Sequence, residues 1–271
     1  MLKVALKSAE ESGKILLKYF RKDIKVHYKG TINPVTIADR ESERKIIQII
    51  KKNFPEHNII CEETCPNIEK IQKSNCKYWW VIDPLDGTVN YIHGLPQFCV
   101  SIGVLKGNEP KNAEPVLGVI YNPVSKELFY AEKNKGAFLN GKRINVSKIG
   151  SFSKALFVTG FPYYVHKKPE NVIRNLAKFL VKIEGIRRLG SAALDMAYVG
   201  SGIFDGFWEE GLNPWDVTAG TVIVREAGGK VTDYSGGNNF IFGRTLVATN
   251  RKIHSKVIKL LSVNSRAVSY C

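Results

Sequence analysis

Cysteine is scarce in this chain, and the little that is present has no pattern. Cys61, Cys65, Cys76, Cys99 and Cys271 are odd in number and scattered over 271 residues, too few for a disulfide framework at this length. A reducing, cytoplasmic setting is therefore expected. A zinc cluster at Cys61, Cys65 and Cys76 would need a fourth ligand and paired C-x2-C spacing, and both are missing. These side chains read as ordinary buried or half-buried thiols. Long apolar runs are absent as well: no stretch of about 18 such residues exists, which excludes a membrane-spanning helix. Over the first twenty residues lysines and glutamates interrupt the apolar positions, so no secretory signal is expected. Internal repeats and low-complexity segments are also lacking.

Acidic residues are outnumbered, 25 against 40 basic, for a net charge of +15. A charge of that size suits an anionic substrate or a nucleic-acid surface. The lysines, however, are spread along the chain (Lys3, Lys7, Lys14, Lys18, Lys45, Lys51, Lys52, Lys252, Lys256, Lys259), as they are on solvated helix faces. No dense basic stripe interleaved with aromatics and no nucleic-acid module can be found. Nucleic-acid or protein binding remains the non-enzymatic alternative. Heavy use of Lys, Glu and Ile resembles the composition of thermophile proteins.

What is present is ample material for a core, at 44% hydrophobic residues, enough for one large domain or two intimate halves. Leu2, Leu6, Ala9, Gly13, Leu16, Leu17 and Phe20 recur with helical period and predict a helix over 2–21. Thr36 to Asn53 predicts a second, with Ile37, Ile46, Ile47 and Ile50 on its apolar face and a Thr36–Asp39 capping arrangement at its start. Short strands are expected at 58–61 and 78–82, with a polar loop over 64–77 between them. Strands at 98–106, 115–121, 127–132 and 136–139, separated by Asn, Pro and Gly turns, form an antiparallel meander. After about residue 148 strands and helices alternate: strands at 155–159, 185–189, 204–208, 230–232 and 246–248, helices at 169–181, 192–199, 214–227 and 253–261. The division expected is an N-terminal α+β subdomain, 1–148, and a C-terminal α/β subdomain, 149–271, with 263–271 as a tail.

The segment Trp80-Val81-Ile82-Asp83-Pro84-Leu85-Asp86-Gly87-Thr88 carries the most chemistry. An apolar strand ends in two carboxylates, a glycine and a hydroxyl. Asp83 and Asp86, separated by a proline-fixed turn, can converge on a hard cation, or they can cap the helix that follows. Gly87 and Thr88 lead into that short helix, whose free N–H groups suit a phosphate. Further acids stand at a strand end, Glu62-Glu63, and at a helix start, Asp216 in Asn213-Pro214-Trp215-Asp216, where a first-turn acid is also favoured by the helix dipole.

Together, Ile60-Cys61-Glu62-Glu63, Trp80 to Tyr91, Trp215-Asp216-Val217-Thr218-Ala219-Gly220 and Glu226-Ala227-Gly228-Gly229 resemble the signature motifs of the inositol monophosphatase family of metal-dependent, lithium-inhibited sugar phosphatases. Pro34-Val35-Thr36-Ile37-Ala38-Asp39 and Gly190-Ser191-Ala192-Ala193 extend the likeness over nearly the whole chain. The resemblance implies a layered αβαβα sandwich of the sugar phosphatase type, its first half an antiparallel sheet and its second a mixed α/β unit. It implies a magnesium held by Glu62, Asp83 and the Leu85 carbonyl, and a second held by Asp83, Asp86 and Asp216. A third, weaker ion is often attributed to the Glu62 side of such sites. Cys61 stands where the family usually has glycine, which places a thiol beside the metals.

The same resemblance implies that Thr88, paired with Asp39 or Glu62, orients the attacking water, and that Gly87 and Thr88 N–H groups hold phosphate oxygens. Two cations about 4 Å apart can activate the water and stabilise the leaving oxygen. Substrate contacts are implied for Asp86, Asp216, Glu209 and the Ala192 N–H. Glu209 is chosen over Glu210 on spacing. Arg187 and Arg188 belong either to the cleft or to a dimer contact, and Lys29 to a loop near the metals. The activity implied is hydrolysis of a small phosphorylated polyol or sugar, foremost myo-inositol monophosphate, by a homodimer. Fructose 1,6-bisphosphate, 3′-phosphoadenosine 5′-phosphate and histidinol phosphate are the alternatives.

Overall fold

A computed structural model describes residues 1–29, 33–64 and 74–262. The chain opens with α1, Leu2–Tyr19, and a hairpin of β1, Val26–Lys29, and β2, Asn33–Thr36, then α2, Ile37–Asn53. The capping box at Thr36 forms as its spacing predicts: Thr36 N–H donates to Asp39 Oδ2 at 2.8 Å and the Ala38 N–H reaches the threonine hydroxyl at 3.1 Å. Ile37, expected on the buried face, is exposed instead, because the apolar stripe begins one residue later at Ala38. The hairpin, with strands of four residues each, was not expected from the sequence.

Seven strands follow in one sheet: β3 Asn58–Cys61, β4 Tyr78–Asp86, β5 Cys99–Lys106, β6 Glu114–Asn122, β7 Glu127–Glu132, β8 Gly136–Leu139 and β9 Lys142–Ile144, in that spatial order. All neighbours are antiparallel except β3 and β4, which run parallel. A short helix, α3 Thr88–Ile92, leaves β4. The second half holds β10 Leu156–Thr159, α4 Glu170–Leu180, β11 Gly185–Arg187, α5 Ala192–Gly200, β12 Gly206–Glu210, α6 Pro214–Glu226, β13 Lys230–Thr232, β14 Thr245–Thr249 and α7 His254–Ser262. Its sheet has the order β11-β10-β12-β14-β13, parallel at β11/β10/β12 and antiparallel beyond.

Strand periodicity sorts these elements into five layers. In β4, Trp80 and Ile82 face α1 and α2, while Trp79 and Val81 face α5 and α6. The second sheet divides likewise: Val158, Phe207 and Ala248 join the α5/α6 core, whereas Phe157, Trp208 and Val247 pack on α4 and α7. Trp208 stacks on Phe179 at 3.9 Å between centroids. The order is therefore α1α2, seven-stranded sheet, α5α6, five-stranded sheet, α4α7, and one core runs through both halves.

The central helices approach the first sheet closely because two glycines pair there. Gly103 of β5 lies opposite Gly118 of β6, and a Cβ on Gly118 would stand 2.2 Å from the Ala219 carbonyl oxygen of α6, one on Gly103 2.4 Å from Thr218 Cγ2. Only glycine allows that contact. Among the described residues no helix is long and apolar enough to cross a membrane. The expected tail at 263–271 and most of the expected loop at 64–77 lie outside the described residues.

Candidate active site

Asp83 and Asp86 do not flank a simple turn, as the sequence suggested. The strand continues through both, and the register slips between them: Asp83 pairs with Ser101 and Asp86 with Cys99, so β4 spends one residue more than β5. This is a β-bulge, which accommodates Pro84 because no ladder hydrogen bond is demanded there. The bulge is pinned from behind by Ser42 of α2, whose hydroxyl donates to the Pro84 carbonyl at 2.8 Å. Its own Leu85 N–H donates to Asp83 Oδ1 at 2.9 Å.

Glu62 comes beside Asp83 by register. Cys61 pairs with Ile82 across the parallel β3/β4 ladder, so the next residue on each strand is an acid. Glu43 of α2 fixes the turn after them, accepting from the Glu63 and Thr64 N–H groups at 2.8 and 3.0 Å. Asp216 arrives from the other half. It is the N3 member of a capping box with Asn213, whose N–H donates to Asp216 Oδ2 at 2.7 Å. Ser101, partner of Asp83, donates to the carbonyl of Trp215 at 3.2 Å and so tethers the start of α6 to the same point on β5.

Asp86 is the seam between the halves. Its Oδ2 accepts from Ser191 Oγ at 2.6 Å and the Ala193 N–H at 2.7 Å, both at the start of α5, with the Cys99 thiol at 3.9 Å. Asn90 of α3 adds a second tie, donating to the Gln97 and Leu189 carbonyls. Gly87 adopts φ +94°, a conformation that favours glycine, and a Cβ there would stand 2.8 Å from the Gln97 carbonyl oxygen.

These residues enclose a cavity of about 370 Å³ lined by Glu62, Asp83, Leu85, Asp86, Gly87 and Thr88 from the first half and by Ala192, Glu209 and Asp216 from the second. Arg188 also lines it, with its guanidinium 5.7 Å from the Phe161 ring centre. Arg187 does not: it is exposed and donates to its own neighbour, the Ile186 carbonyl. Asp39 lies just behind the wall. Its Oδ2 is taken by the Thr36 hydroxyl and N–H, while Oδ1 faces the Thr88 hydroxyl at 3.4 Å; that hydroxyl also reaches the Leu85 carbonyl at 3.0 Å. The Lys29 side chain lies outside the described residues.

The electrostatics are those of crowded, buried anions. Asp83 is pushed well above the usual carboxylate range by burial first and then by Glu62, Asp86 and Asp216. Asp216 is raised well above its ordinary value by burial and Asp86, and Asp86 is raised by burial against the hydrogen bonds of the Ser191 hydroxyl, the Ala193 and Ala192 N–H groups and the Cys99 thiol. Burial lifts Asp39 to about 6 and Glu209 to about 8. Tyr163, half exposed on the cavity rim, has its hydroxyl acidity suppressed by burial and by the same four carboxylates.

Among the described residues no three His, Cys, Asp or Glu side chains are already gathered into a metal cluster; the acids stand along the wall. The donor set nevertheless suits a hard cation. It consists of carboxylate oxygens and one carbonyl, and each of Asp83, Asp86 and Asp216 is held through one oxygen while the other takes none of those bonds. A cation would relieve the mutual repulsion that raises them. Sequence reasoning missed Ser42, Glu43 and Ser101, which never touch the cavity, and the N-cap role of Ser191, although a serine before Ala-Ala-Leu is a recognisable helix start.

The five-layered sandwich with an acidic cleft at the junction of its sheets is the architecture of the sugar phosphatases. The chain belongs to the inositol monophosphatase family, whose profile it matches over residues 1–266. It is 39% identical over 269 residues to the Nus factor SuhB of Salmonella typhimurium, covering 98% of this chain and 96% of that one. It is 40% identical over 262 residues to the inositol-1-monophosphatase of a Synechocystis strain, covering 96% and 88%. Among solved structures, the suhB protein of Bartonella henselae superposes with a TM-score of 0.88 at 36% identity, covering 97% of this chain and 99% of that one. The Thermotoga maritima IMPase superposes at 0.83 with 37% identity, covering 96% of each.

Proposed function

We propose that this chain is a magnesium-dependent phosphomonoesterase whose preferred substrate is myo-inositol monophosphate. The observation that carries the reading is the convergence of Glu62, Asp83, Asp86 and Asp216, from both halves, on one cavity beside the Gly87–Thr88 turn. A cavity of about 370 Å³ suits a small polar ester. Family membership and the name of the Synechocystis relative support the same conclusion.

Glu62, Asp83, the Leu85 carbonyl, Asp86 and Asp216 would hold the magnesium ions, which when bound neutralise phosphate charge and lower the pKa of the attacking water. The chain's own groups do the rest. Gly87 and Thr88 present backbone N–H groups to the phosphate oxygens at the first turn of α3. The Thr88 hydroxyl accepts a hydrogen bond from the water and turns its own hydrogen toward Asp39 Oδ1. With its pKa near 6, Asp39 is matched to take a proton near neutral pH. On the alcohol side, the Ala192 N–H donates and Glu209 accepts from substrate hydroxyls, with Arg188 beside them.

Phosphate release in magnesium from inositol 1-phosphate, fructose 1,6-bisphosphate, 3′-phosphoadenosine 5′-phosphate and histidinol phosphate, ranked by kcat/KM, tests the substrate. Inositol 1-phosphate is expected first; absence of turnover on all four would remove the reading. Water attack in line predicts inversion at phosphorus and solvent oxygen in the product, and retention would sink it. The net charge of +15, with relatives named Nus factor SuhB, favours one second reading, a nucleic-acid or protein-binding role. Salt-sensitive RNA binding that survives Asp86→Asn is its signature.

A further inference from the structure

Every one of the nine residues of α5 is buried, and one of them is a carboxylate. Asp195 is 1% exposed, and neither of its oxygens has a hydrogen-bond partner in the protein. An ionised, unpartnered carboxylate is strongly disfavoured in such a place, and a leucine would satisfy the packing at least as well. The charged groups that act on Asp195 are Glu209, then Asp86, with Arg188 opposing both.

Glu209 is itself nearly buried and lines the cavity. Its carboxylate rests on Gly160, where a Cβ would stand 2.1 Å from Oε2 and 2.4 Å from Oε1. Glycine therefore leaves room for the Glu209 carboxylate on one side, while α5, packed against β12, carries the unpartnered carboxyl of Asp195 into the field of Glu209, which acts on it more than any other charged group does. A water bound between two such groups has the polar partners it requires.

We infer that Asp195 is a positioning residue for Glu209, joined to it by one bound water that fixes the Glu209 carboxylate toward the alcohol half of the substrate. This rests on the proposed role of Glu209 as acceptor of substrate hydroxyls. Burial raises both carboxyls, Glu209 to about 8 and Asp195 well above its ordinary range, so the pair can retain a proton and supply a donor as well as acceptors.

The test compares two esters on the full chain in magnesium: inositol 1-phosphate, rich in hydroxyls, and phenyl phosphate, which has none on its leaving group. Asp195→Leu is expected to raise KM for inositol 1-phosphate by about tenfold, the worth of one oriented hydrogen bond, while kcat and the phenyl phosphate KM move far less. Asp195→Asn, which can still hold the water, is expected to recover most of the loss. Equal shifts on both esters, or no shift on either, would overturn the inference. Should leucine prevent folding, Asp195→Ala is read in the same comparison with the same two outcomes. A wild-type chain that hydrolyses neither ester overturns the functional reading first, and the inference with it.

Discussion

At the scale of single residues, the acids are anchored on one oxygen and offered on the other. Asp216 Oδ2 serves the capping box and Asp86 Oδ2 serves α5, so the carboxylates keep their geometry while facing the cavity. Asp216→Asn can preserve the cap, because asparagine also accepts from the Asn213 N–H, yet it removes a negative ligand. The expected result is a fall in kcat of at least about 100-fold in a chain that still unfolds cooperatively. Near-normal kcat would break the ligand assignment. The identities of these acids were legible because motifs fix them locally. Ser42, Glu43 and Ser101 were not, because each acts on a backbone group 20 or more residues distant and nothing in its own neighbourhood marks it.

At the scale of elements, what placed a helix start was visible and what bent a strand was not. Thr36 and Asp39 are three residues apart and declare the cap of α2 without help from elsewhere. The bulge at Pro84 exists only relative to β5, whose register no local pattern reveals. The glycine pair under α6 is similar: Gly103 and Gly118 mean little until they face each other. Because a methyl on Gly118 would stand 2.2 Å from the Ala219 carbonyl oxygen, Gly118→Ala must lift α6 by about 1 Å or distort β6. The expected cost is about 1–3 kcal/mol in denaturant unfolding, accompanied by lost turnover as Asp216 is carried away from Asp83. A variant as stable and as active as the parent would show that the contact is slack.

At the scale of the whole molecule, the layers followed from strand periodicity once the strands were paired, but the sharing of one core by both halves did not, since that depends on which faces α5 and α6 meet. The same arrangement concentrates carboxylates whose folded pKa values are raised: Asp39 from 3.8 to about 6 and Glu209 from 4.5 to about 8. Between the unfolded and folded values the native state binds more protons than the unfolded chain. Their stabilising contribution is therefore complete below about pH 4 and is lost as pH rises through 6 and then 8. In chelator, the thermal midpoint is expected to fall as pH is raised across this window, and excess magnesium is expected to flatten the fall. A midpoint that climbs with pH in chelator would contradict the buried, raised acids.

Two tryptophans stand immediately before site acids: Trp208, stacked on Phe179, precedes Glu209, and Trp215, its carbonyl held by Ser101, precedes Asp216. Each indole is buried, so its emission responds to small changes in the local field and packing. The chain thus carries its own optical reporter beside two of the acids that line the cleft. Magnesium titrated into the unlabelled protein is expected to give a saturable change in intrinsic fluorescence that Asp216→Asn weakens, letting occupancy of the cleft be followed without any substrate turning over.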